Sequence, residues 1–182
     1  MTALISRCLT SLDKLFSRLL LALLIFFSAI NLFAGSEEEM KAVFLEKFTH
    51  LVQWPENNES SFLICILNDE TFAETLQHNY RKKVFKKKPI NIIKLKTDTT
   101  TPFCDILFIG KNTPDAHTIT KKLAKEPVLT VSDDQNHISD KVMISIYFKN
   151  RRFTYSINNK AAQEADIKIS YLLLKSASEV IR

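Results

Sequence analysis

Ser61-Phe-Leu-Ile-Cys-Ile-Leu67 is an unbroken apolar run of strand length, followed at once by Asn68-Asp69 and a helical pattern from Thr71 to Tyr80. A strand without polar alternation is buried on both faces, as in sheets covered by helices on either side. Three more predicted strands follow: Pro89-Ile-Asn-Ile-Ile-Lys-Leu95, with β-branched enrichment, Cys104-Asp-Ile-Leu-Phe-Ile109 and Pro127-Val-Leu-Thr-Val131. Pro114-Asp115 opens a helix through Leu123 between the last two. Strands alternating with helices imply parallel pairing through crossovers.

The pattern changes after Ser132-Asp133-Asp134. Val142 to Phe148 and Arg152 to Ile157 are separated by only Lys149-Asn150-Arg151, which makes them a hairpin. A last helical stretch is predicted from Asn158-Asn159 and Ala161-Ala162 through Ile181. Upstream, Glu37 to Gln53 reads as an amphipathic helix with Met40, Val43, Phe44, Phe48 and Leu51 on one face. Ser36 and Glu39 form a capping box at its start, and Trp54-Pro55 ends it. The fold class is therefore α/β: a three-layer, Rossmann-like domain with a mixed, mainly parallel sheet and a C-terminal β-hairpin plus helix.

The first 34 residues read as something else. Arg7, Lys14 and Arg18 precede the apolar stretch Leu19 to Ala34, and the chain turns acidic at Glu37-Glu38-Glu39. A basic start, an apolar centre and a small residue before a polar segment are the parts of an export signal. Leu32 departs from the small residue preferred before the cut, so an uncleaved anchor in residues 15–34 is the alternative. The apolar run is shorter than the roughly 20 residues that comfortably span a bilayer. Either form places residues 35–182 outside the cytoplasm, as one domain in the periplasm. Without Arg7, Lys14, Arg18 and Asp13 the net charge falls from +5 to +3.

Two glycines, Gly35 and Gly110, exclude the glycine-rich loops on which phosphate-cradling nucleotide sites depend. His50, His78, His117 and His137 are scattered without metal-ligand spacing, so no metal and no cofactor is expected. Cys65 and Cys104 are the cysteines beyond the leader. An even pair in an oxidising compartment is a disulfide candidate, and two small buried hydrophobes are the alternative.

Two places carry candidate binding chemistry. Asn68 and Asp69, with Ser132 and Asp133, fall at the carboxyl ends of predicted strands, where open α/β sheets take ligands; ordinary turn residues are the plainer reading. Arg81-Lys-Lys-Val-Phe-Lys-Lys-Lys88 is a basic run. Lys82, Lys83, Lys86 and Lys87, with Phe85 as an aromatic anchor, suit a partner contact, either anionic lipid headgroups or an acidic protein patch. A solvated connection is the bland account, and nucleic acid is no expected partner outside the cytoplasm. Trp54 reads as a core residue at the end of the first helix.

Several strings together resemble the YfiR family of small periplasmic proteins, over most of residues 40–181. They are Lys41-Ala-Val-Phe-Leu with Phe44, Phe48 and Val52-Gln-Trp54-Pro55; Cys104 to Gly110; Val128-Leu-Thr-Val-Ser-Asp133; Arg152 to Asn158 with Ala161-Ala162; and Ile169-Ser170 with Leu172-Leu-Leu174. The resemblance implies a non-enzymatic regulator that binds the periplasmic sensor region of a membrane diguanylate cyclase and restrains it, giving negative control of cyclic di-GMP signalling. It also implies a redox-linked Cys65–Cys104 bridge and a homodimer. A second bridge of some members has no counterpart, because no cysteine follows Cys104. Asn136 to Lys141 and the Lys149-Asn150 turn lack the glycines usual there. A periplasmic small-ligand receptor is the alternative function, and a hydrolase using Asp133 or Asp134 the third.

Overall fold

Residues 37–96, 103–150 and 152–182 are described by a computed structural model. The expected leader or tether in residues 1–34, and Ser36 of the capping box, lie outside them. Helix α1 (Glu37–Leu51) is followed by β1 (Val52–Gln53), β2 (Phe62–Leu67), α2 (Glu70–Asn79), β3 (Val84–Phe85) and β4 (Lys88–Leu95). Next come β5 (Ile106–Ile109), α3 (Ala116–Lys122), β6 (Leu129–Ser132), a 3-10 turn (Gln135–Ile138), β7 (Ile144–Lys149) and β8 (Arg152–Asn158). The chain closes with α4 (Asn159–Glu164), β9 (Lys168–Ile169), α5 (Tyr171–Ser176) and β10 (Glu179–Ile181).

Eight strands form one sheet in the order β10-β8-β7-β6-β5-β2-β4-β3. It is parallel except at β7·β8 and β3·β4. Because β2 leads to β4 on one side and has β5 on the other, the topological switch point lies between β2 and β5.

Apolar burial on both faces explains the continuous runs. Ile64, Ile66, Ile106 and Phe108 join a core with Leu45 and Phe48 of α1, Phe72 and Leu76 of α2, and Leu173 of α5. Their neighbours Cys65, Leu67, Leu107 and Ile109 face the other way, into a smaller core with Ala116 of α3. The sheet is thus the middle of three layers. Each large side chain fully buried in it contributes roughly 1.5–3 kcal/mol.

The ends differ from the sequence reading. The helix expected to Gln53 stops at Leu51, because Val52 and Gln53 pair antiparallel with Ile169 and Lys168. The long last helix is instead two short ones and two short strands. Asn158 caps α4 through the Ala161 amide, Asp166 turns left-handed at φ 54°, and Ser170 opens α5 by accepting from the Leu173 amide. Ile181 and its neighbours then pair parallel with β8.

Candidate functional site

The carboxyl end of the sheet, around the switch point, is built on a lysine. Lys41 lies on α1 four residues before Leu45 and seven before Phe48, so the helical repeat turns all three to the core. Its side chain is 1% exposed, above the rings of Phe72 and Phe108 at 5.4 and 6.0 Å. The ammonium donates to Asp133 Oδ2 at 2.8 Å and pairs with Glu38 at 2.9 Å, Asp69 at 3.5 Å and Glu37 at 3.6 Å. Burial alone favours the neutral amine. The hydrogen bonds and charges of Asp133 and Glu38 outweigh it and hold the ammonium above the ordinary lysine value. For Glu38, burial dominates over the attraction of Lys41 and raises its carboxyl.

Two of these carboxylates do double duty. Asp69 accepts from the Phe72 amide with Oδ1, capping α2, and faces Lys41 with Oδ2. Asp133 accepts from the Lys111 amide with Oδ1 at 2.6 Å, fixing the turn after β5, and from Lys41 with Oδ2. Gly110 makes this convergence sterically feasible, since a Cβ there would stand 2.9 Å from the Asn68 carbonyl oxygen and 3.1 Å from Asp69 Cβ. The crevice where such sheets take ligands is therefore occupied from inside by the protein's own ammonium.

Of the four residues predicted for a strand-end ligand site, Asp69 and Asp133 meet at Lys41. Ser132 is fully buried elsewhere. Its Oγ lies 2.7 Å from His137 Nδ1 and accepts from the Asp134 amide, and His137 Nε2 stands 3.8 Å from Asp134. This serine, histidine and aspartate belong to the turn that closes after β6, where Asp134 caps the 3-10 helix. Asn68, left-handed at φ 56°, lines a separate cleft of about 630 Å³ with Asp69, Glu70, Lys94 and Lys96.

Cys65 of β2 and Cys104, just before β5, form a disulfide with Cα atoms 6.0 Å apart. Both residues are fully buried in the α3-side core. At the same amino end of the sheet, buried Asp105 accepts from the Leu63 amide at 2.7 Å and its carbonyl accepts from Trp54 Nε1 at 2.9 Å. Burial raises the Asp105 carboxyl despite the Leu63 and Asn57 hydrogen bonds. Trp54 meets Phe62 and Phe85 edge to face at 5.3 and 6.0 Å, and Pro55 follows it along the rim of a 270 Å³ groove. Phe44 and Phe48 pack on Tyr155, whose hydroxyl donates to the Leu173 carbonyl.

The basic run forms β3, a two-residue turn and the start of β4. Phe85 turns inward to the Trp54 cluster, while Val84 is 64% exposed. Lys83 pairs with Glu46 at 2.8 Å and Lys88 donates to the Asn57 carbonyl. Lys82, Lys86 and Lys87 are exposed and meet no carboxylate among the described residues. The sequence reading missed Lys41 because it placed Met40 and Val43 on the apolar face, whereas these are 39% and 61% exposed and α1 buries Lys41, Ala42, Leu45, Phe48 and Thr49 instead.

Among the described residues no group of histidine, cysteine, aspartate and glutamate is arranged to hold a metal, and no helix is long and apolar enough to cross a membrane. No curated protein matches the chain. The YfiR/HmsC-like family model matches residues 38–178, from the first turn of α1 to the entry of β10. The chain belongs to the YfiR/HmsC-like family, a non-enzymatic family of periplasmic regulators.

Proposed function

We propose that this chain is an exported regulator that binds the periplasmic sensor region of a membrane diguanylate cyclase and holds it inactive, lowering cyclic di-GMP in the cell. Residues 1–34 are its export signal or retained anchor, and residues 35–182 the working domain. Besides the family match, one observation carries the reading: Lys41 fills the switch-point crevice, which favours action by surface binding over action on a bound substrate. Exposed apolar side chains suit such a surface, with Val43 on α1, Phe148 at the β7–β8 hairpin, and Tyr171 and Leu172 on α5. A homodimer through the same side chains is part of the proposal.

The mechanism is a population shift. The regulator prefers the inactive state of its partner, and whatever weakens that preference releases it. The buried Cys65–Cys104 bridge stiffens the scaffold that presents the surface. Affinity capture of membrane proteins from the chain's own cell, under oxidising and reducing conditions, tests the reading. Recovery of a membrane cyclase supports it, and recovery of nothing in either condition counts against it.

The cleft beside Asn68 and Lys94 favours a second reading, a receptor for a small ligand. A ligand at a hundredfold its Kd would stabilise the fold by about 2.7 kcal/mol, which a thermal-shift screen detects.

A further inference from the structure

The β3–β4 hairpin breaks a local rule at a cost in strain. Its turn is Lys86-Lys87, with φ of 48° and 69°, and Lys82 at its base has φ 69°. Two consecutive left-handed residues define the type I′ hairpin turn, which asparagine and glycine fill with least strain. Elsewhere among the described residues the chain meets such positions with Asn68, Asp115, Asn150 and Asp166, residue types that tolerate them, and with a single lysine, Lys141. Here it places lysine three times within six residues. Such strain gathered three times in one exposed hairpin, against once at Lys141, points to use of the side chains held there.

We propose that this hairpin tip docks on anionic phospholipid headgroups of the membrane surface. Lys82, Lys86 and Lys87 project without a carboxylate partner among the described residues, and Arg81 beside them is exposed. Val84, 64% exposed between them, adds an apolar side chain that enters the headgroup boundary. The choice of lysine argues for a diffuse anionic surface. A fixed carboxylate on a protein is matched by the planar fork of arginine, whereas lysine is a point charge on a flexible stem. Strand addition by a partner protein is poorly served, because β3, at the sheet edge, is two residues long. The inference rests on the family's periplasmic location and not on the identity of the restrained protein.

The test compares the chain as the cell exports it with Lys82→Gln/Lys86→Gln/Lys87→Gln and with Lys86→Asn/Lys87→Gly. Each is mixed with vesicles of phosphatidylcholine alone or of phosphatidylcholine and phosphatidylglycerol. Each lysine near an anionic surface is worth roughly fivefold in partition, so the triple variant should bind the anionic vesicles about 100-fold less. High salt should abolish the difference. The Asn-Gly variant should melt at a higher temperature than the native chain while partitioning about 25-fold less, which separates lost charge from lost fold. Equal binding of native and triple-variant chains, or equal native binding to both vesicle types, overturns the proposal. If neither vesicle binds the native chain while the triple variant releases the signalling partner in cells, the tip meets an acidic protein surface instead, and the lipid assignment falls. No partner protein enters the vesicle assay, so its failure leaves the regulatory reading standing.

Discussion

Lys41 and the hairpin lysines show one residue type under opposite conditions. At the carboxyl end of the sheet the ammonium is desolvated, and four carboxylates hold it in place. At the hairpin tip, three ammonium groups are exposed and meet no carboxylate among the described residues, Lys86 lying over the Phe85 ring at 5.5 Å. A buried charge is bound to its partners because removing one strands the others, whereas an exposed charge costs the fold little to lose. The first arrangement determines how loops meet. The second leaves the charge available to something outside.

The largest expected effect tests that contrast directly. Lys41→Met should cost about 3–5 kcal/mol in urea unfolding, because Asp133 and Glu38 lose their buried counter-ion, while Lys82→Met should stay within about 0.5 kcal/mol. Comparable values for the two would break the comparison. Since the folded value of Lys41 is raised, its stabilisation is complete below the ordinary value of 10.5 and is lost only as pH rises past it. The Lys41→Met penalty should therefore be the same at pH 7 and pH 9.

The bridge provides a second standard for the buried cluster. Cys65→Ala/Cys104→Ala opens a loop of 39 residues' separation and should cost about 2–4 kcal/mol, read as a lower urea midpoint. If Lys41→Met proves harmless while this variant does not, the sheet is held from its amino end alone. Gly110→Ala should cost about 1–3 kcal/mol, because the added Cβ must displace the backbone that carries Asp69. Double with Lys41→Met, it should be less than additive if both act on the same convergence.

The smallest effect is the pH dependence at Asp105. A carboxyl raised by burial takes up a proton more readily in the folded chain, so stability falls as pH rises from its ordinary 3.8 through the raised value. Asp105→Asn removes that slope, and the variant should gain on the native chain as pH rises, measured by melting temperature across mildly acidic pH. A constant difference would mean that the Asp105 carboxyl is not perturbed.

Much of this fold was legible because its strands are apolar on both faces. The runs through Ile64, Phe108 and Val131 needed no tertiary knowledge, and Asn68-Asp69 announced its cap. The meeting of Asp69 with Asp133 at Lys41 was hidden. Lys41 with Glu37 and Glu38 looks like a solvated helix pair, and its main partner is 92 residues away. The C-terminal segment misled for another reason. Pairings of two or three residues, such as β9 and β10, are too short to show a period, and the apolar residues they contain mimic a helix. The turn at Lys86-Lys87 was obscured by its chemistry, since nothing in a lysine pair signals positive φ.

The chain has a single tryptophan, and it lies between the sheet and the basic hairpin, edge-on to Phe62 and Phe85 with its indole N–H bound to the Asp105 carbonyl. Its ultraviolet emission is therefore a native optical gauge of that junction. A red shift marks solvent entering as the hairpin lifts, and a change on adding vesicles reports docking at the tip from within, with no dye attached to the lysines themselves.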